Sequence, residues 1–225
     1  RKAFFEQHGD YHILDYTTAK KDGIIPEDYH EFWGMEDAKL YEYARQELTK
    51  IAQQEEPFDF MMLTVDTHPA DGYICSLCEA QYPSQYENVL ACASRQAAQF
   101  VNWVSEQEWY EDTTIVITGD HLNMKADFWD DIGDYQRKIY NCFINLPEGI
   151  LEGQMNDRDF TILDMFPTIL AATGARIEGD RLGLGTNLFS EQETLPEEIG
   201  FDTLNSELKL YSNYYYKNFV VGDRD

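Results

Sequence analysis

Two short runs of this chain end in side chains that could hold a cation or a phosphate. Residues 115–118 read as a buried strand, Gly119 follows, and Asp120 and His121 come next. Residues 58–65, FDFMMLTV, are mostly apolar and lead into Asp66, Thr67, His68 and Pro69. An aspartate offers a carboxylate oxygen and a histidine an imidazole nitrogen, a mixture that Zn²⁺ and Mn²⁺ both accept. A strand end holds such ligands rigidly, as a site needs. Each residue also has a plainer reading. A single aspartate after a strand is ordinarily a turn residue or a helix cap, and a single histidine a hydrogen-bonded surface or core side chain. The second polar strand end favours a site. So does Gly119, which lets a ligand or neighbouring backbone approach closely.

Other chemistry-bearing residues are weaker signals. Cys75-Ser-Leu-Cys78 is a CxxC without a second CxxC for zinc, and Gly72 and Tyr73 put it in a loop rather than at the helix start of a thioredoxin-like motif. Cys75, Cys78, Cys92 and Cys142 allow three complete pairings, among which the sequence does not choose. A disulfide among Cys75, Cys78 and Cys92 and free buried thiols both fit. Arg137 and Lys138 are rare bases that could face an anionic substrate, although a surface ion pair is the commoner role. Trp33 and Trp129, in loops, suit the wall of a groove, whereas Trp103 suits helix core.

These residues need elements to position them. Leu40, Ala44, Leu48 and Ile51 recur at helical spacing and predict a helix from about Glu36 to Gln54. The run 58–65 predicts a central strand. A long helix is expected over about 85–107, with Val89, Ala93, Ala97, Phe100, Val101 and Val104 inward. The strand before Gly119 follows, then a loop over 122–136 and a third strand within 139–147. A helix over 164–172 should close at Gly174. The tail from Gly200 alternates aromatic and polar residues and predicts small antiparallel strands. Strands alternating with helices imply an α/β fold: a largely parallel sheet with helices on both faces, its ligand site outside the carboxyl ends of the strands, plus a small carboxy-terminal antiparallel β appendage. The expected division is 1–190 as the main part and 191–225 as the appendage of the same domain.

The bulk properties exclude some partners. The 225 residues carry 42 acids and 17 bases, a net charge of −25, which repels nucleic acid and anionic membrane surfaces. No apolar run approaches the ~20 residues that span a bilayer. Arg1, Lys2 and Phe4 lead straight into polar sequence with no signal-peptide pattern, and the start reads as internal to a longer chain.

The segments, in their order, resemble a known family. IVITGDH after a long helix looks like the metal-binding strand of the alkaline phosphatase and sulfatase superfamily. FWGMEDAKLYEYARQEL, FDFMMLTVDTHPADGY, QRKIYNCFINLPE and TILDMFPTILAATGA resemble segments of its lipoteichoic acid synthase and phosphoglycerol transferase branch, over about residues 1–190. The resemblance implies that Asp120 and His121 are metal ligands and that His68 binds the phosphate or glycerol part of the substrate. It implies a divalent metal, Mn²⁺ first and Zn²⁺ or Mg²⁺ next. It also implies an anionic phosphoglycerol lipid or glycan as substrate, and a parent protein anchored in a membrane and facing outward.

Family enzymes use a metal-bound threonine nucleophile and a further acidic ligand, both in the amino-terminal half of the domain, to which nothing in this sequence corresponds. Thr64, Thr67, Thr113, Thr114 and Thr118 do not stand in that context. The chain is therefore expected to be inactive alone and to need that missing half as its partner. Cys92-Ala93-Ser94-Arg95 resembles the sulfatase cysteine motif, but that motif has arginine where Gln96 stands. Two alternatives to phosphoglycerol transfer or phosphodiester cleavage remain: a sulfatase or phosphoethanolamine transferase, and a non-catalytic binding module.

Overall fold

This computed structural model describes residues 2–9, 11–54, 56–125, 128, 130, 132–150 and 156–221. The chain forms two compact units: Arg1–Glu111 with Gly119–Tyr140, and Asp112–Thr118 with Asn141–Asp225.

The first unit is built on helices α1 (Lys2–His8), α2 (Tyr16–Lys21), α3 (Asp37–Ile51) and α4 (Gln85–Ser105). Asp15 caps α2 by accepting from the Thr18 amide at 2.8 Å. Ala19, Ile25 and Tyr29 form a small core beneath Leu14, Tyr16 and Met35. Ser84 and Glu87 start α4 with a reciprocal capping box, which satisfies two of the amides that a helix start leaves without partners. Helices α3 and α4 meet through aromatic rings, Tyr41 lying 5.0 Å from Phe100; within α4, Phe100 lies 5.7 Å from Trp103. Trp103, expected as core, packs on Phe100 but is only half buried.

The buried stripe of α4 is rotated from the expected one. Val89, Cys92, Gln96, Phe100 and Val104 face inward, while Ala93 and Ala97 are only half buried. Likewise α3 buries Tyr41, Ala44 and Leu48, with Leu40 at the margin. In both helices the stripe includes side chains that a purely apolar reading passes over.

Residues 58–65 depart from the sequence reading. They carry no strand ladder among the described residues, and Met61 and Leu63 are 58% and 49% exposed. Phe58 is held edge-to-face on Trp109. The other end is held by two buried carboxylates. Asp37 Oδ1 accepts from the amides of Val65 (2.7 Å) and Asp66 (3.2 Å), and Asp66 Oδ1 accepts from the amide of Asp37 (3.1 Å). Both side chains are almost wholly buried, and neither Oδ2 has a hydrogen-bond partner among the described residues. Burial, then the charge of Asp37, pushes the Asp66 carboxyl up to about 7; burial also raises Asp37.

The second unit holds strands β1 (Ile115–Thr118) and β2 (Asn141–Ile144), paired antiparallel with Thr118 opposite Asn141 and Ile115 opposite Ile144. Helix α5 (Met165–Ala172) follows a capped 3₁₀ turn and ends at Gly174, whose φ of +83° suits glycine. A short antiparallel pair, β3 (Arg181–Leu182) and β4 (Gly185–Thr186), comes next. Ala171, Ala172 and Phe189 form the core under Phe143, Leu146 and Ile150. Every strand pair among the described residues is antiparallel, so the expected parallel sheet is not seen.

The carboxy-terminal β appendage is also corrected. Residues 195–208 are helical, as α6 (Leu195–Ile199) and α7 (Phe201–Leu208). Phe201, Leu204 and Leu208 follow helical spacing, which outweighs the local alternation of aromatic and polar residues.

Arg158 ties this unit together. It forms a two-pronged pair with Glu197 (3.1 and 2.7 Å) and donates to the carbonyls of Leu188, Ser190 and Gln192. Those hydrogen bonds from Arg158 hold the Glu197 carboxyl down at about 2.

Two outcomes follow from these charges. Arg158→Ala should lower unfolding stability by about 2–4 kcal/mol at pH 7, read by urea denaturation. Glu197 has a depressed pKa, so its stabilisation is present above about 4.5 and lost as pH falls toward 2; the gap between the two proteins should close over that range. Asp66 has the opposite sign. Its raised pKa favours the protonated fold, so stability is lost as pH rises from about 4 toward 7. Asp66→Asn should flatten that slope, and an unchanged slope would refute the assignment.

Candidate metal-binding site

Asp120 and His121 follow β1 through Gly119, whose amide donates to the Tyr140 carbonyl at 3.0 Å. A Cβ at Gly119 would lie 2.9 Å from Ile139 Cγ2, so a close approach requires glycine at this position. His121 Nε2 lies 3.5 Å from Asp120 Oδ2, and both side chains are more than half exposed. His121 Nδ1 is 2.8 Å from the Leu122 carbonyl oxygen. A carbonyl only accepts, so Nδ1 carries the proton and the neutral ring presents its lone pair at Nε2. Two ligands about 2.1 Å from one cation at a tetrahedral angle stand about 3.4 Å apart. The observed pair has that spacing, and its donor set of one carboxylate oxygen and one imidazole nitrogen fits a divalent metal.

His68 is prepared in the same way. Its Nδ1 lies 2.8 Å from the Pro69 carbonyl, leaving Nε2 as the acceptor of the neutral ring. The ring sits beside Trp33, with centroids 4.4 Å apart, and edge-on to Phe32 at 6.5 Å. Phe32 in turn stacks on Tyr73. Trp33 is 68% exposed, so an apolar face beside His68 is open to a ligand. Trp33 lies in a loop beside His68, while Trp129 lies outside the described residues.

The two histidine-bearing loops are joined by residues that sequence reasoning does not single out. Tyr86 is buried, and its hydroxyl donates to the Thr67 carbonyl at 3.0 Å and accepts from the Asn123 side-chain amide. Lys125 Nζ meets Asp71 Oδ1 at 2.8 Å. Arg137 donates to the Asn123 carbonyl at 2.8 Å, which fastens the loop from its other end; Lys138 is exposed. Gly72, with φ of +67°, closes the His68 loop under Val89, where a Cβ would lie 2.7 Å from both Asp66 O and Val89 Cγ1. Only the capping signal before Tyr86 is visible in the sequence, since a tyrosine on a buried helix face reads as packing. Among the described residues His68, Asp120 and His121 do not form a three-ligand cluster; the one such group is Cys75, Cys78 and Cys92.

Tyr86→Phe removes the hydroxyl from both loops. It should cost about 1–3 kcal/mol of stability and broaden or shift the ring resonances of His68 and His121 together. A shift confined to one histidine would mean that the loops are not coupled through Tyr86.

Comparison with known proteins bears on the family of the chain. A family model described as Sulfatase matches residues 1–175. The chain is similar to phosphoglycerol transferase I of Citrobacter koseri and of Escherichia coli, each 26% identical over 204 residues, which is 85% of this chain and 25% of the relative. The chain thus spans about a quarter of the length of these curated relatives. No solved structure matches. The family implies an α/β fold, and the helices and small antiparallel sheets of this chain are compatible with that class. With residues 1–175 of 225 matched, the chain belongs to the sulfatase family.

Proposed function

We propose that this chain supplies part of the site of a metal-dependent phosphoglycerol transferase or phosphodiester-cleaving enzyme acting on cell-envelope lipid or glycan. The observation that carries the reading is the Asp120–His121 pair, spaced at 3.5 Å with the histidine tautomer held by the Leu122 carbonyl. The similarity to enzymes named phosphoglycerol transferase I supports the substrate class.

In this reading Asp120 Oδ2 and His121 Nε2 are two ligands of a divalent metal, Mn²⁺ by preference. When bound, the metal polarises phosphoryl oxygens and activates a nucleophile. The remaining ligands and the nucleophile come from outside these 225 residues, in keeping with a span of a quarter of the relatives, and the 225 residues alone do not turn over. His68 Nε2 accepts a hydrogen bond from a glycerol hydroxyl, or donates to a phosphate oxygen when the ring is protonated. The Trp33 face packs on the glycerol or sugar carbons. The metal also answers an electrostatic problem, because a chain of net charge −25 otherwise repels an anionic substrate.

A sulfatase or a phosphoethanolamine transferase would use the same pair; threonine or cysteine at the metal-bound nucleophile separates them. We place the domain on the outer face of a membrane and keep residues 191–225 within it. No helix among the described residues is long and apolar enough to cross a membrane. In the complete family domain, 58–65 becomes a strand of the parallel sheet.

Calorimetric titration of Mn²⁺, which sulfur ligands hold poorly, into this chain and into the full-length protein, each with an Asp120→Ala control, tests the reading. Binding at least tenfold tighter in the full-length protein, lost in its control, is expected. Equal binding by the full-length protein and its Asp120→Ala variant would remove Asp120 from the site, and no binding by the chain or the full-length protein would overturn the metal-dependent reading.

A further inference from the structure

Cys75, Cys78 and Cys92 bring their sulfurs together at the junction of a loop and α4. Cys75 Sγ lies 3.6 Å from Cys78 Sγ and 3.9 Å from Cys92 Sγ, and all three sulfurs lie within 4.8 Å of one another. The first two come from a tight turn in which the Cys78 amide donates to the Cys75 carbonyl. The third projects from the inner face of α4, where a search for a second CxxC does not find it. Cys75 and Cys92 are buried, and Cys78 is half buried.

We propose that these three thiols form a binding site for a thiophilic divalent cation, zinc by preference, separate from the Asp120–His121 pair. Three features support it. Thiolates about 2.3 Å from one tetrahedral zinc stand about 3.8 Å apart, which the two observed separations bracket, whereas a disulfide requires about 2.05 Å. Second, the Gln96 side-chain amide, itself buried, points its Nε2 at Cys92 Sγ (3.6 Å) and Cys75 Sγ (3.8 Å). A neutral thiol is a weak acceptor, so a buried amide aimed at two sulfurs matches the outer shell of thiolate ligands. Third, the Arg95 guanidinium donates to the Leu77 carbonyl at 3.0 Å inside the CxxC turn. Its charge acts on Cys92 and offsets the net negative charge of three thiolates around one divalent cation. Binding exchanges three thiol protons for the metal; no redox change is involved. Cys78 gives access, and the fourth position is left to water.

Burial raises the Cys78 and Cys92 thiols above their ordinary range. Both are then held as protonated thiols, poor as nucleophiles. Hard Mn²⁺ gains little from sulfur, so one protein would sort two metals by ligand softness. This inference stands apart from the proposed activity.

The test is a Co²⁺ titration of the chain, purified in reductant and stripped of metal, followed by absorbance. Sulfur ligation gives a thiolate-to-cobalt charge-transfer band that oxygen and nitrogen ligands do not. We expect this band to saturate at one equivalent and to be displaced by Zn²⁺. Cys78→Ser, at the half-buried position, should weaken it at least tenfold while the circular dichroism stays native. Asp120→Ala and Cys142→Ser should keep it. Absence of the band, its survival in Cys78→Ser, or a disulfide within the triad in protein isolated without reductant would each overturn the site. Loss of metal binding in Asp120→Ala with the cobalt band intact would bear only on the other pair.

Discussion

The His68 loop hangs from two carboxylates that water does not reach. Asp37 opens α3 and accepts from the amides that end the extended segment; Asp66 ends that segment and accepts from the amide that opens the helix. Each carboxylate thus satisfies backbone groups that would otherwise be buried without partners, which is the costly alternative. The Asp66 carbonyl then accepts from the Tyr73 amide at 2.8 Å and closes the loop. Tyr86 fixes Thr67 from above and reaches across to Asn123. The loop after β1 is therefore located by the same frame.

Within that frame, the two histidines meet their surroundings alike. Each gives its Nδ1 proton to a carbonyl one residue on, so the backbone determines which nitrogen remains for a ligand. The difference lies in what surrounds the second nitrogen. For His121 it is a carboxylate, and the pair suits a cation. For His68 it is aromatic surface, which suits the uncharged part of a substrate.

Much of this arrangement is legible in the sequence, for local reasons. Asp120 and His121 are adjacent in the chain, so any strand ending there presents them together. The helices α3, α4 and α5 announce themselves by periodicity, α4 also by its capping box and α5 by its closing glycine. What fails is non-local. An apolar run such as 58–65 states that it wants burial, but not which strand lies beside it, and in this chain it runs extended with Met61 and Leu63 exposed. The tail misleads because a period of two and a period near 3.6 overlap in a short aromatic stretch. Cys92 and Gln96 are hidden within a helix whose alanines read as the better core, and only the fold brings Cys92 to the CxxC turn.

The route of the chain through β1 and β2 has a consequence for how such a protein can change. Thr118 pairs with Asn141, and the Gly119 amide reaches the Tyr140 carbonyl, so residues 119–140 leave and re-enter at one closed gate. Closing a longer loop costs only slightly more chain entropy, growing with the logarithm of its length. Insertions between Lys125 and Arg137 thus need not disturb the hairpin or the Asn123, Lys125 and Arg137 contacts that hold the loop. The stretch is built like an exchangeable cassette, in which sequence can diverge while Asp120 and His121 stay in place.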